Sequence, residues 1–307
     1  MRTISFILLQ NLSLVLAAPL LSGLIRVFKN NLRMRRGAPL LQPYYNLAKL
    51  FRKEEVVSTR ASFIFTVTPW IVLASTLTAA FLLPVFGSPL SLNSMGDFFV
   101  LVFLLALARF FISLAGLDTA SPFSGMGSSR EMFISSLAEP VALISIFTVC
   151  LNAGSTGLAV LTGPHAFRLS TAIAGLSFFA VMLAETSRIP VDNQETHLEL
   201  TMIHEAMVLE YSGRSLAMIE LASHVKQIVF FTILANVFLP FVPVSGSGPG
   251  LIAPILAVYL AKILLIAAVV SLVEIAVAKM RLFRAVDYLA FALFLAVASL
   301  VASAIGA

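Results

Sequence analysis

The chain alternates between long stretches without charge and short polar breaks. Uninterrupted apolar runs of about 20 residues recur along its whole length, each long enough to cross roughly 30 Å of hydrocarbon as a helix. A transmembrane β-barrel would show short segments of alternating hydrophobicity instead. Eight spans fit the pattern, at about 4–27, 63–86, 97–117, 131–153, 168–189, 217–241, 252–277 and 286–305. The pattern predicts an all-α polytopic membrane protein, with residues 1–307 forming a single transmembrane domain. The breaks differ in kind. Those at 84–96 and 242–251 are rich in Gly, Ser and Pro and read as tight caps. The break after the first span is amphipathic. There Leu40, Leu41, Tyr44, Leu47, Leu50 and Phe51 recur at helical spacing beside Lys49, Arg52 and Lys53, which predicts a helix lying along the membrane surface.

Composition agrees. The chain is 59% hydrophobic and 11% charged, against roughly 25% charged in soluble domains. Positive charge is unevenly placed. Arg26, Lys29, Arg33, Arg35, Arg36, Lys49, Arg52, Lys53 and Arg60 fill the first break, and Lys279, Arg281 and Arg284 the last, whereas the Gly/Ser/Pro caps carry none. Lys and Arg collect on the cytoplasmic side, so eight spans place both termini outside. The net charge of +5 is then mostly a topology signal. No exposed basic domain is present to suggest nucleic acid. The long first run, with no small-residue cleavage site before a soluble domain, predicts no cleavable signal peptide. Cys150 is the only cysteine, so the sequence predicts no disulfide framework, no zinc motif and no iron–sulfur cluster held by this chain. His197 and His204 lie seven apart, not at the i, i+4 spacing of a zinc pair. His224 reads as a polar contact inside the sixth span.

One segment stands apart. Between Leu183 and Gly213 lie Glu185, Asp192, Glu195, Glu199, Glu205 and Glu210, six of fifteen carboxylates. Pro190 is expected to end or kink the fifth span. Asp192 is expected to cap a short helix over about 193–210, with Glu195 and Glu199 on one face. Charges also stand inside the spans, where they are costly and face a polar interior. Arg109, Glu139 and Lys226 fall about 12 Å below the inner surface, with Glu185 and Glu274 nearer to it and Lys262 toward the outer half. Acids and bases at one depth can relay protons, or simply pair and hold the bundle together.

Longer motifs carry a resemblance. "RMRRGAPLLQPYYNLAKLFRKE" resembles the first inner loop of the membrane subunit of respiratory complex I that forms the quinone cavity, and "ETSRIPVDNQETHLEL" followed by "EYSG" resembles that family's acidic loop. Glu185, Arg188, Pro190, Asp192, Glu195, Glu199, Glu210 and Tyr211 fall on matching positions. "LDTASPFSGMGSSREMFISSLAEPV" looks like the third inner loop of the membrane-bound group 4 nickel–iron hydrogenases, the formate hydrogenlyase subunit 4 branch, with Gly116–Phe123, Gly127–Glu131 and Glu139-Pro140 matching. The resemblance covers almost the whole chain. The sequence departs from the complex I pattern at His197, where that family usually has Glu, and at Val191, where it has Phe. Its 201–213 stretch is also longer, so Glu205 has no sure counterpart there.

The resemblance implies a membrane anchor and coupling element in the cytoplasmic membrane of a prokaryote. It implies hydrogenase large and small subunits as partners, carrying a Ni–Fe centre and iron–sulfur clusters, with antiporter-like membrane subunits and membrane lipid. No catalytic redox centre, cofactor or metal is expected on this chain itself. The implied relay residues are Glu139, Glu185, Asp192, Glu195, Glu199, Glu205, Glu210, Glu274, Arg109 and Lys226. The implied docking residues for a peripheral arm are Arg33, Arg35, Arg36, Gln42, Lys49, Asp118, Arg130, Arg188 and Tyr211. Competing readings are a quinone-binding subunit of a complex I-type NADH:quinone oxidoreductase, a stand-alone cation/proton antiporter, and a passive anchor.

Overall fold

The computed structural model describes residues 2–84, 96–161, 168–193, 202–239 and 252–306. Helices account for most of them: α1 (Arg2–Leu32), α2 (Gln42–Arg52), α3 (Phe63–Leu82), α4 (Phe98–Asp118), α5 (Pro122–Ala153), α6 (Leu158–Leu161), α7 (Leu169–Glu185), α8 (His204–Met207), α9 (Gly213–Ile233), α10 (Ile252–Ala276) and α11 (Leu282–Ile305). A π-helical stretch, Leu234–Phe238, continues α9. Among the described residues seven helices are long and apolar enough to cross a membrane. The remaining expected span, the fifth, is α7, which is apolar but has only 17 residues. The fold class is that expected, a polytopic helical membrane protein.

Local chemistry sets the ends. Ser62 caps α3 by accepting from the Ile64 N–H, and Asp97 caps α4 by accepting from Phe99. The start of α5 differs from the expected fourth span. Pro122 stands in its first turn, where a proline lacks nothing a helix needs. The motif read as an inner loop is therefore the first part of a 32-residue helix, and Glu131 lies well inside that helix rather than at the first residue of a span. α7 ends four residues earlier than its expected span. Ser187 adopts a left-handed φ of 51°, with Ser187 N–H donating to Ala184 O and Arg188 N–H to Leu183 O at 3.1 and 2.9 Å. That 6→1 and 5→2 pair is a Schellman turn. It stops the helix before Pro190 and swings Arg188 back toward the bundle. The surface helix expected in the first break is present as α2.

Packing places the site. α3 packs on α4 and α9, α11 on α5 and α7, and α1 on α9 and α10. The main core runs through α1, α4, α5, α7, α9, α10 and α11, with Phe98, Phe178 and Phe231 fully buried. A second cluster joins α3, α4 and α9 through Phe65, Ile112, Tyr211 and Ile219. Trp70, Phe103, Phe291 and Phe294 point outward, as the apolar exterior of a lipid-facing bundle requires. Gly127 of α5 permits a close contact. A Cβ there would sit 2.8 Å from the Ala206 Cβ, so the glycine lets the 202–208 segment lie directly on α5.

Candidate functional site

The segments after α7 and before α9 build the inner mouth of the bundle. Asp192 is their hub. Its carboxylate accepts from the Asn193 and His204 N–H groups at 2.8 and 3.2 Å and pairs with Lys279 at 2.8 Å. These contacts tie the segment that begins at 202 back to the end of α7. Of the helix expected over 193–210, the described residues form only the single turn of α8, because 202–203 and 208–210 are not helical. Glu195, His197 and Glu199 lie outside the described residues.

Beneath this mouth the charges of four spans join. Arg109 of α4 donates to Glu185 of α7 at 2.6 Å and pairs with Glu139 of α5 at 3.0 Å; Glu185 also pairs with Lys226 of α9 at 2.9 Å. The result is a continuous sequence Glu139–Arg109–Glu185–Lys226. Glu274 of α10 forms a second group, with Arg188 at 2.8 Å and Lys29 of α1 at 3.2 Å. A buried pair adds little net stability, but losing one partner strands a charge at a cost of about 3–5 kcal/mol. Both groups line one cavity of about 150 Å³ opening toward Asp192 and His204. A smaller cavity of about 20 Å³ on the far side of Arg109 reaches Glu139. The Glu139 side chain is 40% exposed although its Arg109 partner is only 8% exposed. It therefore opens on the flank of the bundle at membrane depth.

Sequence reasoning foresaw Arg109, Glu139, Glu185, Lys226 and Glu274 as neighbours in the inner half. The structure resolves them into these two groups. It missed Glu131, which lines the cavity once α5 begins at Pro122. It placed Lys29 in a loop, whereas that lysine is buried in α1. Ser22, His224 and Gln227 add a neutral cluster to the same wall. The Ser22 hydroxyl donates to Gln227 Oε1 at 2.7 Å and lies 2.8 Å from His224 Nδ1. The Nε2 of Gln227 and the Nε atoms of Arg109 and Arg188 have no hydrogen-bond acceptor among the described residues. The cavity wall is thus richer in free donors than in free acceptors.

The expected docking residues divide. Arg33, Arg35, Arg36 and Lys49 are exposed around α2, and the Gln42 side-chain amide donates to Asn46. The others are engaged within the fold. Asp118 accepts from the Ser62 N–H and hydroxyl, both at 2.8 Å, and Arg130 donates to Met202 O. Arg188 holds Glu274. Tyr211 is 4% exposed, stacks on Phe65 at 3.9 Å and donates to the Phe65 carbonyl. Burial raises its phenol above the ordinary tyrosine range. Among the described residues Glu210 makes no ion pair, and Glu205 stands beside His204 at the mouth. Burial, together with Lys226, pushes the His204 imidazole below its ordinary value, against the pull of Glu205 and Asp192. Among the described residues no group of three or more His, Cys, Asp or Glu could hold a metal ion, and no step below is routed through one on this chain.

The geometry has a counterpart in known proteins. The NADH dehydrogenase family model matches residues 4–304. The chain belongs to this family. Within it, the chain is 35% identical over 294 residues to hydrogenase-4 component C of Escherichia coli (strain K12), covering 94% of this chain and 92% of that protein. It is 33% identical over 282 residues to formate hydrogenlyase subunit 4 of the same organism, with 90% of each covered. NADH-quinone oxidoreductase subunit 8 of Rhodothermus marinus is 29% identical over 261 residues, covering 78% and 73%. These relatives are subunits of oxidoreductase complexes. The fold also matches a chain in a solved archaeal respiratory membrane complex, a membrane-bound sulfane sulfur reductase, with a TM-score of 0.83 over 99% of this chain and 100% of that one at 20% identity. That match speaks to the fold alone.

Proposed function

We propose that this chain is the membrane anchor and ion-coupling subunit of a group 4 hydrogenase-type complex of the formate hydrogenlyase kind. It would lie in the cytoplasmic membrane with both termini outside. Hydrogenase large and small subunits, carrying Ni–Fe and iron–sulfur centres, would dock at the inner mouth, guided by Arg33, Arg35, Arg36 and Lys49. Antiporter-like membrane subunits would cover the flank. One observation carries the reading: the sequence Glu139–Arg109–Glu185–Lys226 runs from the cavity wall to the bundle's side without a gap.

The physics follows from charge. Adding one electron to a centre 10 Å from a carboxylate, at an effective dielectric of about 20, is worth roughly 1.7 kcal/mol. That exceeds one pKa unit, enough to redistribute protons among the acids of the mouth. Glu131, Asp192 and Glu205 would take up charge first, with Glu195 and Glu199 on the same segment. Glu185 and Glu274 would pass it inward, and the Arg109 bridge would hand it to Glu139 and a neighbouring subunit. The free donors on the wall also favour a second reading, in which the cavity receives the carbonyl of a quinone.

Mild-detergent purification of the complex with metal analysis separates the two. Nickel together with iron is the expected result. Iron without nickel, with bound quinone, would transfer the assignment to the complex I branch. Transport by the isolated chain in liposomes would overturn both.

A further inference from the structure

The outer half of the bundle holds an ammonium with no acid beside it. Lys262 stands ten residues into α10, about 15 Å from its outer start. Among the described residues no carboxylate pairs with it, and the stretches 85–95, 162–167 and 240–251, which lie outside the described residues, contain no Asp or Glu. Its Nζ donates to the carbonyls of Ala235 and Leu239, at 3.1 and 2.5 Å. The first oxygen belongs to the π-helical end of α9, and the second to Leu239, the residue that ends it.

The sequence explains why an oxygen is available there. In a π-helix the carbonyl of residue i takes the N–H of residue i+5. For Ala235 that residue is Pro240, which has no N–H. The Ala235 carbonyl is thus deprived of its helical donor within an apolar medium, where an unpaired backbone group is costly. Lys262 supplies the missing donor and a positive charge. The surroundings fix the bulge in place. Thr232 and Tyr259 share a hydrogen bond of 2.8 Å one turn below, and Phe238 stacks on Phe178 of α7 at 5.0 Å. A Cβ at Gly175 of α7 would come within 3.3 Å of the Phe238 Cβ, so the bulge presses on the helix that carries Glu185.

We propose that the Ala235 and Leu239 carbonyls form a monovalent-cation site in the outer half of the membrane domain, with the Lys262 ammonium as its tethered occupant. Carbonyls of interrupted helices serve alkali ions in membrane proteins generally. Here a side chain of the same charge fills that place and locks α9 in its bulged form. Removing the side chain leaves a site that a free small cation can enter.

Lys262→Ala in the full chain in lipid nanodiscs tests this. The Tm should fall by about 5 °C, and ethylammonium chloride should restore most of that loss. Choline chloride, with the same charge but no N–H and too large a head, should not. Wild type should respond to neither. An Ala variant indifferent to ethylammonium, or a wild type that rises equally, overturns the site. If Lys262→Ala does not accumulate, Lys262→Arg and Lys262→Met decide by amide exchange across 234–239. Faster exchange in Met than in Arg supports the site, and a variant that fails to accumulate counts as the faster. Equal behaviour of Arg and Met overturns it.

Discussion

The two halves of this bundle are held together by different chemistry. The outer half is tied by neutral hydrogen bonds: Ser145 to Ser177, Thr148 to Ser299, Asn152 to Ser170 and Thr171, and Thr232 to Tyr259. Its one ammonium at the α9–α10 contact rests on carbonyls. The inner half joins α1, α4, α5, α7, α9 and α10 through carboxylates and cations. Neutral bonds between membrane helices are worth about 0.6 kcal/mol each on average and can be exchanged for packing. Ion pairs cannot be trimmed singly without stranding a charge. The arrangement is exacting in one half and forgiving in the other, and the proposed coupling role falls on the exacting half.

The comparison can be broken most forcefully at Arg109. Arg109→Met leaves Glu139 and Glu185 without their shared cation, a loss of about 3–5 kcal/mol. The variant should show a collapse in monodisperse yield by fluorescence-detected size exclusion, while Thr148→Val in the outer half should leave the yield nearly unchanged. Equal behaviour of the two would erase the distinction. Glu139→Gln is milder for folding, since its side chain is partly exposed. In the reconstituted complex it should abolish most ion pumping and leave hydrogen chemistry measurable, and intact pumping would sink the relay. Tyr211→Phe should be the smallest. It removes one hydrogen bond to Phe65 O but keeps the ring stack, so it should cost about 1 kcal/mol. A small drop in Tm with unchanged pumping is expected, and a pumping defect would extend the coupling site to the second core cluster.

Much of this was legible in the sequence because a membrane imposes length and composition together. A run of about 20 apolar residues has few other readings, and a charge within one announces a polar interior. The boundaries were less legible, and so were the residues that depend on them. Hydropathy cannot say whether polar residues at an apolar edge are loop or helix. "SPFSGMGSSRE" is polar enough to read as loop, yet contacts with the 202–208 segment keep it helical, and that difference hid Glu131. Lys29 was hidden in the same way, since α1 runs on to Leu32. Of the helix expected over 193–210 the described residues form only α8, and the Asp192 carboxylate is held by Lys279 and the His204 N–H. The π-helical end of α9 left only one trace in the sequence, the proline at 240.

Glu139 has a consequence for the life of the chain in the cell. A carboxylate on the flank of a helix bundle, at bilayer depth, costs a few kcal/mol as long as lipid is its neighbour. A newly made copy that has met no partner carries that penalty on its surface, where membrane quality control can read it. Were a neighbouring subunit to cover Glu139, as proposed, the number of copies that persist should track the supply of that subunit, with stoichiometry enforced by destruction of the excess rather than by matched synthesis.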